Sequence, residues 1–214
     1  MNEFQAKDAL TQAFGVSRET LGLLDHFVEF LASESVNQNL VSRSSLEEVW
    51  NRHILDSAQL LRFADQGSTW LDLGTGAGFP GLIIATLHDG PVTLVEERKK
   101  RVEFLSAASS VLKIEQKVEI IQSKVERLSP RTFDVISARA FAPLGRLLDL
   151  SHAFSTVKTR FLLPKGRNAR SELEEAETKW QGRFRLEPSL TDADAQIIIA
   201  EEVSRRPASR GGKQ

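Results

Sequence analysis

Residues 70–81 read Trp-Leu-Asp-Leu-Gly-Thr-Gly-Ala-Gly-Phe-Pro-Gly, an apolar strand end that runs into three alternate glycines and a proline. Glycine at every second position allows backbone conformations closed to other residues, and it lets a ligand approach the main chain without meeting a Cβ. The proline is placed to start a helix, whose first N–H groups lack partners and can face that ligand. The stretch therefore predicts a strand, a nucleotide-type binding turn and a helix.

The spacing of the glycines narrows the choice of ligand. A dinucleotide site requires Gly-x-Gly-x-x-Gly, but Phe79 stands where the third glycine of that pattern would be. The next predicted strand, 92–96, ends in Glu96, and an acidic side chain there can accept both hydroxyls of a ribose. S-adenosylmethionine fits better than a dinucleotide because it has a ribose but no phosphate, and backbone N–H groups can bind its aminocarboxylate. A purely structural turn and a nucleotide-dependent oxidoreductase remain as alternatives.

Composition limits the class of protein. The 214 residues, 41% of them hydrophobic, suffice for one buried domain with a modest extension. The chain has no cysteine, which excludes disulfides, thiolate metal sites and cysteine nucleophiles, and its four histidines lack metal-ligand spacing. No apolar run approaches the roughly 20 residues of a membrane span, and the N-terminus does not resemble a signal peptide. We expect a cytoplasmic monomer that has no metal site and no membrane contact.

The first 66 residues read as a helical N-terminal extension. Leucine and valine recur at helical spacing after Ser17, which is placed to act as an N-cap. Ser45 and Glu48 have the spacing of a capping box in front of a second apolar run.

Residues 67–204 alternate short apolar strands with helices, the pattern of an α/β protein with a parallel sheet covered on both faces. Such sheets bind ligands at the carboxyl ends of their strands. The end of this region predicts a hairpin that adds an antiparallel last strand, and the basic tail 205–214 is expected to be disordered. The predicted strands are 69–73, 92–96, 117–122, 133–138, 159–163, 183–186 and 195–200, and the predicted helices are 80–88, 98–112, 143–153 and 170–180.

Three segments together resemble one known family. They are the glycine stretch 71–81, the segment 52–57 (Arg-His-Ile-Leu-Asp-Ser) and the segment 137–142 (Ser-Ala-Arg-Ala-Phe-Ala). In their chain order 52–57, 71–81 and 137–142, they resemble the bacterial ribosomal RNA small-subunit methyltransferase G family, also called glucose-inhibited division protein B. The resemblance implies a class I, Rossmann-like methyltransferase fold with a mostly parallel seven-stranded sheet. It also implies methyl transfer from S-adenosylmethionine to N7 of one guanine in 16S ribosomal RNA of the small subunit.

The glycine turn and the resemblance together supply candidate cofactor residues. In the family, matching positions form the loop at the cofactor, the acidic ribose site, the border of the adenine and an arginine beside the methyl-transfer site. One departure is Glu97-Arg98 after the ribose position, where relatives commonly have a small residue and a glycine. The candidates are Gly74, Gly76, Gly78, Phe79, Glu96, Val125, Glu126 and Arg139.

The residues also limit the methyl acceptor. Methylation of cytosine C5 normally needs a cysteine nucleophile, and the chain has none. Methylation of an exocyclic amine commonly uses an Asn/Asp-Pro-Pro-aromatic strand end, but the chain has no Pro-Pro and no tyrosine. Guanine N7 has an in-plane lone pair and no proton to remove, so no general base is needed. Catalysis then requires only that N7 and the methyl group be held about 3–3.5 Å apart in a dry site.

Arg139 is the candidate catalytic residue. We expect it to position the cofactor or to donate a hydrogen bond to guanine O6, since arginine forms the contacts that guanine offers. The alternative is a structural ion pair with Asp72 or Asp134.

Other polar and aromatic residues are assigned structural roles. His53 and Asp56 lie three residues apart, and we expect Asp56 to orient His53 or to cap a turn rather than to form an acid–base pair. Trp50 and Trp70 are expected in the core rather than as base-stacking platforms.

RNA binding is expected at basic residues beyond a predicted strand. Lys165 and Arg167 follow the strand 159–163 at the functional edge of the sheet and could contact phosphates, which position RNA without reading its sequence. A ribosome-associated RNA-binding module without turnover remains an alternative to an enzyme.

Overall fold

A computed structural model describes residues 1–207, and it contains one seven-stranded sheet in the order β3-β2-β1-β4-β5-β7-β6. Strands β1 to β5 pair in parallel, and β7 pairs antiparallel with both β5 and β6. The predicted mostly parallel sheet with an antiparallel last strand is therefore confirmed. The strands are β1 (Trp70–Leu73), β2 (Val92–Glu96), β3 (Val118–Gln122), β4 (Val135–Ser137), β5 (Arg160–Lys165), β6 (Trp180–Pro188) and β7 (Gln196–Arg205).

Helices cover both faces of this sheet. Because side chains alternate along a strand, Trp70 belongs to the core on one face, while Leu71 and Leu73 belong to the core on the other. All four residues of β1 are buried, as expected for a central parallel strand. The helices are α1 (Glu3–Phe14), α2 (Arg18–Ser35), α3 (Arg43–Glu47), α4 (Asp56–Ala58), α5 (Gly81–Leu87), α6 (Lys99–Val111), α7 (Leu144–Ser151) and α8 (Ala169–Glu177), with π or 3-10 turns at Trp50–Leu55, Gln59–Phe63, Val125–Arg127 and His152–Phe154.

The helices before β1 share their apolar core with α5 and α6. Phe30 of α2 stacks on Phe104 of α6 with ring centroids 5.4 Å apart, and Phe27 packs edge-on against Phe79. Residues of α1 and α2 are thus buried in the same cluster as Trp70. The N-terminal helices form a wall above the glycine turn.

Two helix starts test the predicted caps. Ser17 is the N-cap of α2, as predicted, and its side chain accepts a hydrogen bond from Thr20 N. The predicted capping box of Ser45 and Glu48 is wrong. The N-cap of α3 is Ser42, whose Oγ accepts from Ser45 N at 3.1 Å, so the helix starts one turn earlier.

The C-terminal hairpin is longer than its sequence pattern indicates. The predicted helix 170–180 ends at Glu177, and Trp180 instead begins β6, where it pairs with Arg205. Arg205 therefore belongs to β7 rather than to the tail, and Arg206 Nε donates to Trp180 O and Glu177 O. The rest of the predicted tail, from residue 208 onward, lies outside the described residues.

Neither a membrane span nor a metal cluster occurs in the described part of the chain. Within residues 1–207, no helix is long and apolar enough to cross a bilayer. The same residues contain no group of three or more His, Asp or Glu side chains arranged to hold a metal ion.

Candidate active site

The glycine turn leaves the carboxyl end of β1. Gly74 and Gly76 have φ angles of +67° and +61°, in the left-handed region that favours glycine. A Cβ at Gly74 would lie 2.3 Å from Cδ2 of Phe141, so the phenyl ring rests directly on the glycine. The N–H groups of Gly74 and Thr75 donate to Val95 O, which fastens the turn to β2.

Asp72 fastens the turn from below. Its Oδ1 accepts a hydrogen bond from Ser137 Oγ at 2.7 Å, and its Oδ2 accepts from Gly81 N at 3.1 Å. Ser137 Oγ in turn accepts from Trp70 Nε1 at 2.9 Å. Complete burial raises the pKa of Asp72 to about 6, although these donors oppose the shift. The carboxyl group thus joins β1, β4 and the start of α5, and it holds the turn in shape.

Glu96 lies against the glycine turn at the end of β2. Its Oε2 accepts a hydrogen bond from Gly76 N at 3.1 Å, and its Oε1 accepts from Arg98 N at 2.9 Å. Nη1 of Arg101 is 3.8 Å from Oε2. The side chain is only 6% exposed, so two backbone donors and one guanidinium hold the carboxylate at the predicted ribose position.

Two cavities open at this edge of the sheet. The small cavity has a volume of about 440 Å³, which lies in the range of ligand pockets, and it extends from the glycine turn along the ends of β2 and β3. The large cavity has a volume of about 1010 Å³ and lies between the N-terminal helices, β5 and the hairpin loop. The segment 140–142 contributes to the lining of both. The small cavity is lined by Gly74, Val95, Glu96, Glu97, Arg98, Arg101, Ser123, Lys124, Val125, Glu126, Ala140, Phe141, Ala142, Arg146 and Leu150.

Arg139 lies in the wall of the large cavity. Its Nη1 donates to Arg52 O at 3.1 Å and is 3.5 Å from Asp56 Oδ2, while its guanidinium lies 5.2 Å from the centroid of the Phe79 ring. Burial lowers the pKa of Arg139, and Asp56 opposes this shift. The predicted alternative of a direct ion pair with Asp72 or Asp134 is wrong, because these carboxylates bind other donors.

Asp56 connects the N-terminal helices to the hairpin loop between β6 and β7. Its Oδ1 accepts hydrogen bonds from Thr191 Oγ1 and from Gln59 Nε2, both at 2.8 Å. Oε1 of Gln59 accepts from Leu190 N, and Asn51 Nδ2 donates to Thr191 O. These bonds fix both the far wall of the large cavity and the carboxylate that faces Arg139.

The imidazole of His53 is enclosed in the N-terminal helical region. Both ring nitrogens are buried without a hydrogen-bond partner, and the ring stacks on Phe79 with centroids 4.7 Å apart. Burial lowers the pKa of His53 to about 3, and the nearby charges of Arg139 and Arg52 contribute. The imidazole is therefore neutral near pH 7. The prediction that Asp56 orients His53 is wrong, whereas the burial of Trp50 and Trp70 in the core is confirmed.

A family model described as rRNA small subunit methyltransferase G matches residues 20–195. The chain belongs to the rRNA small subunit methyltransferase G family. A protein of this name from Zymomonas mobilis is 47% identical over 95% of this chain and 96% of its own length. A namesake from Novosphingobium aromaticivorans is 45% identical over the whole of this chain and 98% of its own. Family membership, expected from the three sequence segments, is thus confirmed.

Solved structures support the fold of this methyltransferase G family member. A SAM-dependent methyltransferase from Aquifex aeolicus has a TM-score of 0.59 and 18% identity, and the match covers 78% of this chain and 97% of that one. A ribosomal protein L11 methylase from Lactobacillus delbrueckii has a TM-score of 0.56 and 16% identity, over 72% and 78% of the two chains. The class I, Rossmann-like methyltransferase fold is confirmed, and S-adenosylmethionine is the cofactor of this family.

The residues predicted to bind the cofactor fall into three groups. Gly74, Glu96, Val125 and Glu126 come together around the small cavity. Gly76 and Gly78 shape the turn behind it through their positive φ angles. Phe79 is buried between His53 and Arg139, and Arg139 lines the large cavity. Their contacts with a cofactor stay predictions.

The two residues predicted to bind RNA differ in their surroundings. Lys165 lines the large cavity, but its side chain is only 10% exposed, and its Nζ donates to Glu172 Oε2 at 2.8 Å and to Ala142 O at 2.9 Å. Arg167 is exposed beyond the end of β5. Arg167 is therefore the more accessible candidate for a phosphate contact, while Lys165 supports the segment that separates the two cavities.

Proposed function

We propose that this methyltransferase G family member transfers a methyl group from S-adenosylmethionine to N7 of one guanine in 16S ribosomal RNA. One observation carries the proposal. The small cavity lies beside the glycine turn and Glu96. It meets the large cavity at the segment 140–142, which follows β4. This arrangement allows a donor in the first cavity to face an acceptor base in the second.

The residues of the small cavity fit S-adenosylmethionine. The Glu96 carboxylate accepts two backbone N–H groups and can accept the two ribose hydroxyls. The missing Cβ of Gly74 makes room for the Phe141 ring, so this glycine shapes the wall of the cavity. The N–H groups of Gly74 and Thr75 donate to Val95 O and that of Gly76 donates to Glu96, so the expectation that these N–H groups bind the aminocarboxylate is wrong. Val125 and Glu126 would border the adenine. The bound cofactor supplies an electrophilic methyl group on a sulfonium.

The acceptor chemistry agrees with the side chains in and behind the wall of the large cavity. N7 of guanine carries no proton, so its attack requires alignment and exclusion of water rather than a base. His53 has a pKa near 3 and is neutral and buried, so it plays no part in proton transfer. Arg139, held by Asp56 and Arg52 O, would orient the cofactor or donate to O6 beside the reacting nitrogen.

The proposed partner is the small ribosomal subunit, which contains the 16S RNA. We place the reaction in the cytoplasm, where these subunits occur, and assign it to a single copy of the chain without a metal ion. Arg167 would contact the RNA backbone from its exposed position beyond β5, while Lys165 would support the adjoining wall of the large cavity.

Kinetics with methyl-labelled S-adenosylmethionine and small subunits from a strain lacking this methylation test the proposal. We expect about one methyl group per subunit. Replacement of Arg139 by Ala removes charge-assisted hydrogen bonds worth about 1.5–3 kcal/mol, which predicts a loss in kcat/KM of about 10- to 100-fold. Arg18→Ala, an exposed arginine at the start of α2, is the matched control and keeps full activity. Absence of label from the parental reaction would reject the function, and full activity of Arg139→Ala would remove Arg139 from the site.

A further inference from the structure

We propose that Phe141 is the platform on which the target guanine stacks, so that N7 faces the methyl donor. The proposal rests on the function proposed above and adds a specific contact to it. Neither the glycine turn nor the wall of the large cavity around Arg139 supplies an aromatic surface to a base. Phe141, in contrast, lies at the junction of the two cavities.

The composition of the two cavities singles out this residue. Among the described residues that line either cavity, Phe141 is the one with an aromatic ring, and it contributes to both. The three tryptophans are buried in the core and have no surface to offer a ligand. A base that enters the large cavity beside the segment 140–142 therefore meets this ring next to the small cavity.

The backbone holds the Phe141 ring beside the small cavity, where the methyl donor is proposed to bind. Phe141 Cδ2 and Cε2 would lie 2.3 Å and 3.0 Å from a Cβ built at Gly74, so the ring is in van der Waals contact with the glycine turn. The residue before it, Ala140, has a φ of +51°, a left-handed conformation that costs an L residue roughly 1–2 kcal/mol. Such strain persists only where the surroundings hold it. Here it accompanies the turn that brings Phe141 back over Gly74 from the end of β4.

An aromatic platform suits the geometry of attack by guanine N7. The N7 lone pair lies in the plane of the base, so a platform under one face leaves the reacting edge free. A base taken out of its RNA stack loses stacking energy, and an aromatic side chain returns about 1–3 kcal/mol. The face of the phenyl ring carries no hydrogen-bond donor, so stacking on it leaves N7 free to attack. Phe141 follows β4 without the Pro-Pro that commonly holds an exocyclic amine, and this combination suits a ring nitrogen as the methyl acceptor.

The test compares Phe141→Leu, Phe141→Met and Phe141→Tyr with the parental protein. Leucine and methionine fill the site without an aromatic face, whereas tyrosine restores the face. We expect kcat/KM for unmethylated small subunits to fall about 10- to 100-fold in Phe141→Leu and Phe141→Met. The dissociation constant for S-adenosylhomocysteine should stay within about threefold of the parental value, since stacking acts on the base. Phe141→Tyr should recover most of the activity.

Three outcomes would overturn the proposal. Parental activity in Phe141→Leu or Phe141→Met would show that no aromatic face is needed. If the dissociation constant for S-adenosylhomocysteine rises by the same factor by which kcat/KM falls, Phe141 acts on cofactor binding alone. Equal losses in the leucine and tyrosine variants, with unchanged melting temperatures, would indicate steric filling rather than stacking. If the parental protein itself transfers no methyl group, the proposed function fails, and this result is distinct from the other three.

Discussion

Replacement of His53 by Phe removes a buried, unpaired imidazole and should make the protein more resistant to acid. Both ring nitrogens lack partners, and the ring stacks on Phe79. A phenyl ring can keep this stacking, while the two buried polar atoms disappear. Because loss of an unsatisfied polar group is neutral or stabilising, we expect the free energy of unfolding at neutral pH to stay equal or rise by about 1 kcal/mol.

The size of the acid effect follows from the pKa of His53. Burial and the charges of Arg139 and Arg52 lower this pKa from 6.5 to about 3. The unfolded chain therefore takes up the proton first as the pH falls, and the stability present above about pH 6.5 is lost progressively toward pH 3. At about pH 5 the parental protein should have lost about 2 kcal/mol through this group. Asp72, with a pKa near 6, titrates in both proteins, so its effect cancels in their difference.

Urea unfolding of the parental protein and His53→Phe, measured between about pH 7.5 and pH 5, tests this reasoning. The stability difference should grow by about 2 kcal/mol in favour of the variant as the pH is lowered. His26→Gln, at an exposed position of α2, is the control and should follow the parental curve. Parallel curves for His53→Phe would refute the low pKa. The variant should also keep its methylation rate near pH 7, and a large loss there would indicate a chemical role for the imidazole.

Four further predictions concern the two cavities and the proposed RNA contact. Glu96→Gln should weaken S-adenosylhomocysteine and methylthioadenosine equally, about tenfold or more in calorimetry, because both carry the ribose. Gly74→Ala should bind S-adenosylhomocysteine more weakly and lose roughly 1–2 kcal/mol in urea unfolding, since its φ is +67° and its Cβ would strike the ring above it. Asp56→Asn should lower kcat at an unchanged dissociation constant for S-adenosylhomocysteine, because Arg139 loses its ion pair. Arg167→Gln should weaken subunit binding and reduce the slope of log K against log salt by about 1, and an unchanged slope would exclude a phosphate contact.

The order of strands and helices was predictable where sequence pattern and tertiary structure agree. The glycine turn, the strand before it and the helix after it are determined by local backbone requirements, such as the positive φ at Gly74 and Gly76. The end of α8 was not predictable in this way. Trp180 continues an apolar pattern with helical spacing, but pairing with Arg205 across the hairpin makes it the first residue of β6.

The contacts of the candidate site likewise divide into those that sequence pattern indicates and those that arise only from tertiary folding. Glu96 could be placed beside the turn because the carboxyl ends of neighbouring parallel strands meet at one edge of the sheet. The partner of Arg139 could not be inferred, since Asp56 reaches it only after the N-terminal helices fold over the sheet. The contacts of Asp56 and Gln59 with the hairpin loop join residues more than 130 positions apart, and no local pattern indicates them. Phe141 lay within the recognised segment 137–142, but only the cavities show where its ring lies.

The most direct test of the account locates the methyl group on the RNA. Small subunits lacking this methylation are incubated with the purified protein and S-adenosylmethionine, and the extracted 16S RNA is treated with borohydride and aniline, which cleave at N7-methylguanosine. The account predicts one new cleavage site, absent when Glu96→Gln replaces the parental protein at limiting S-adenosylmethionine. An RNA that shows no new cleavage site after this treatment would contradict methyl transfer to guanine N7.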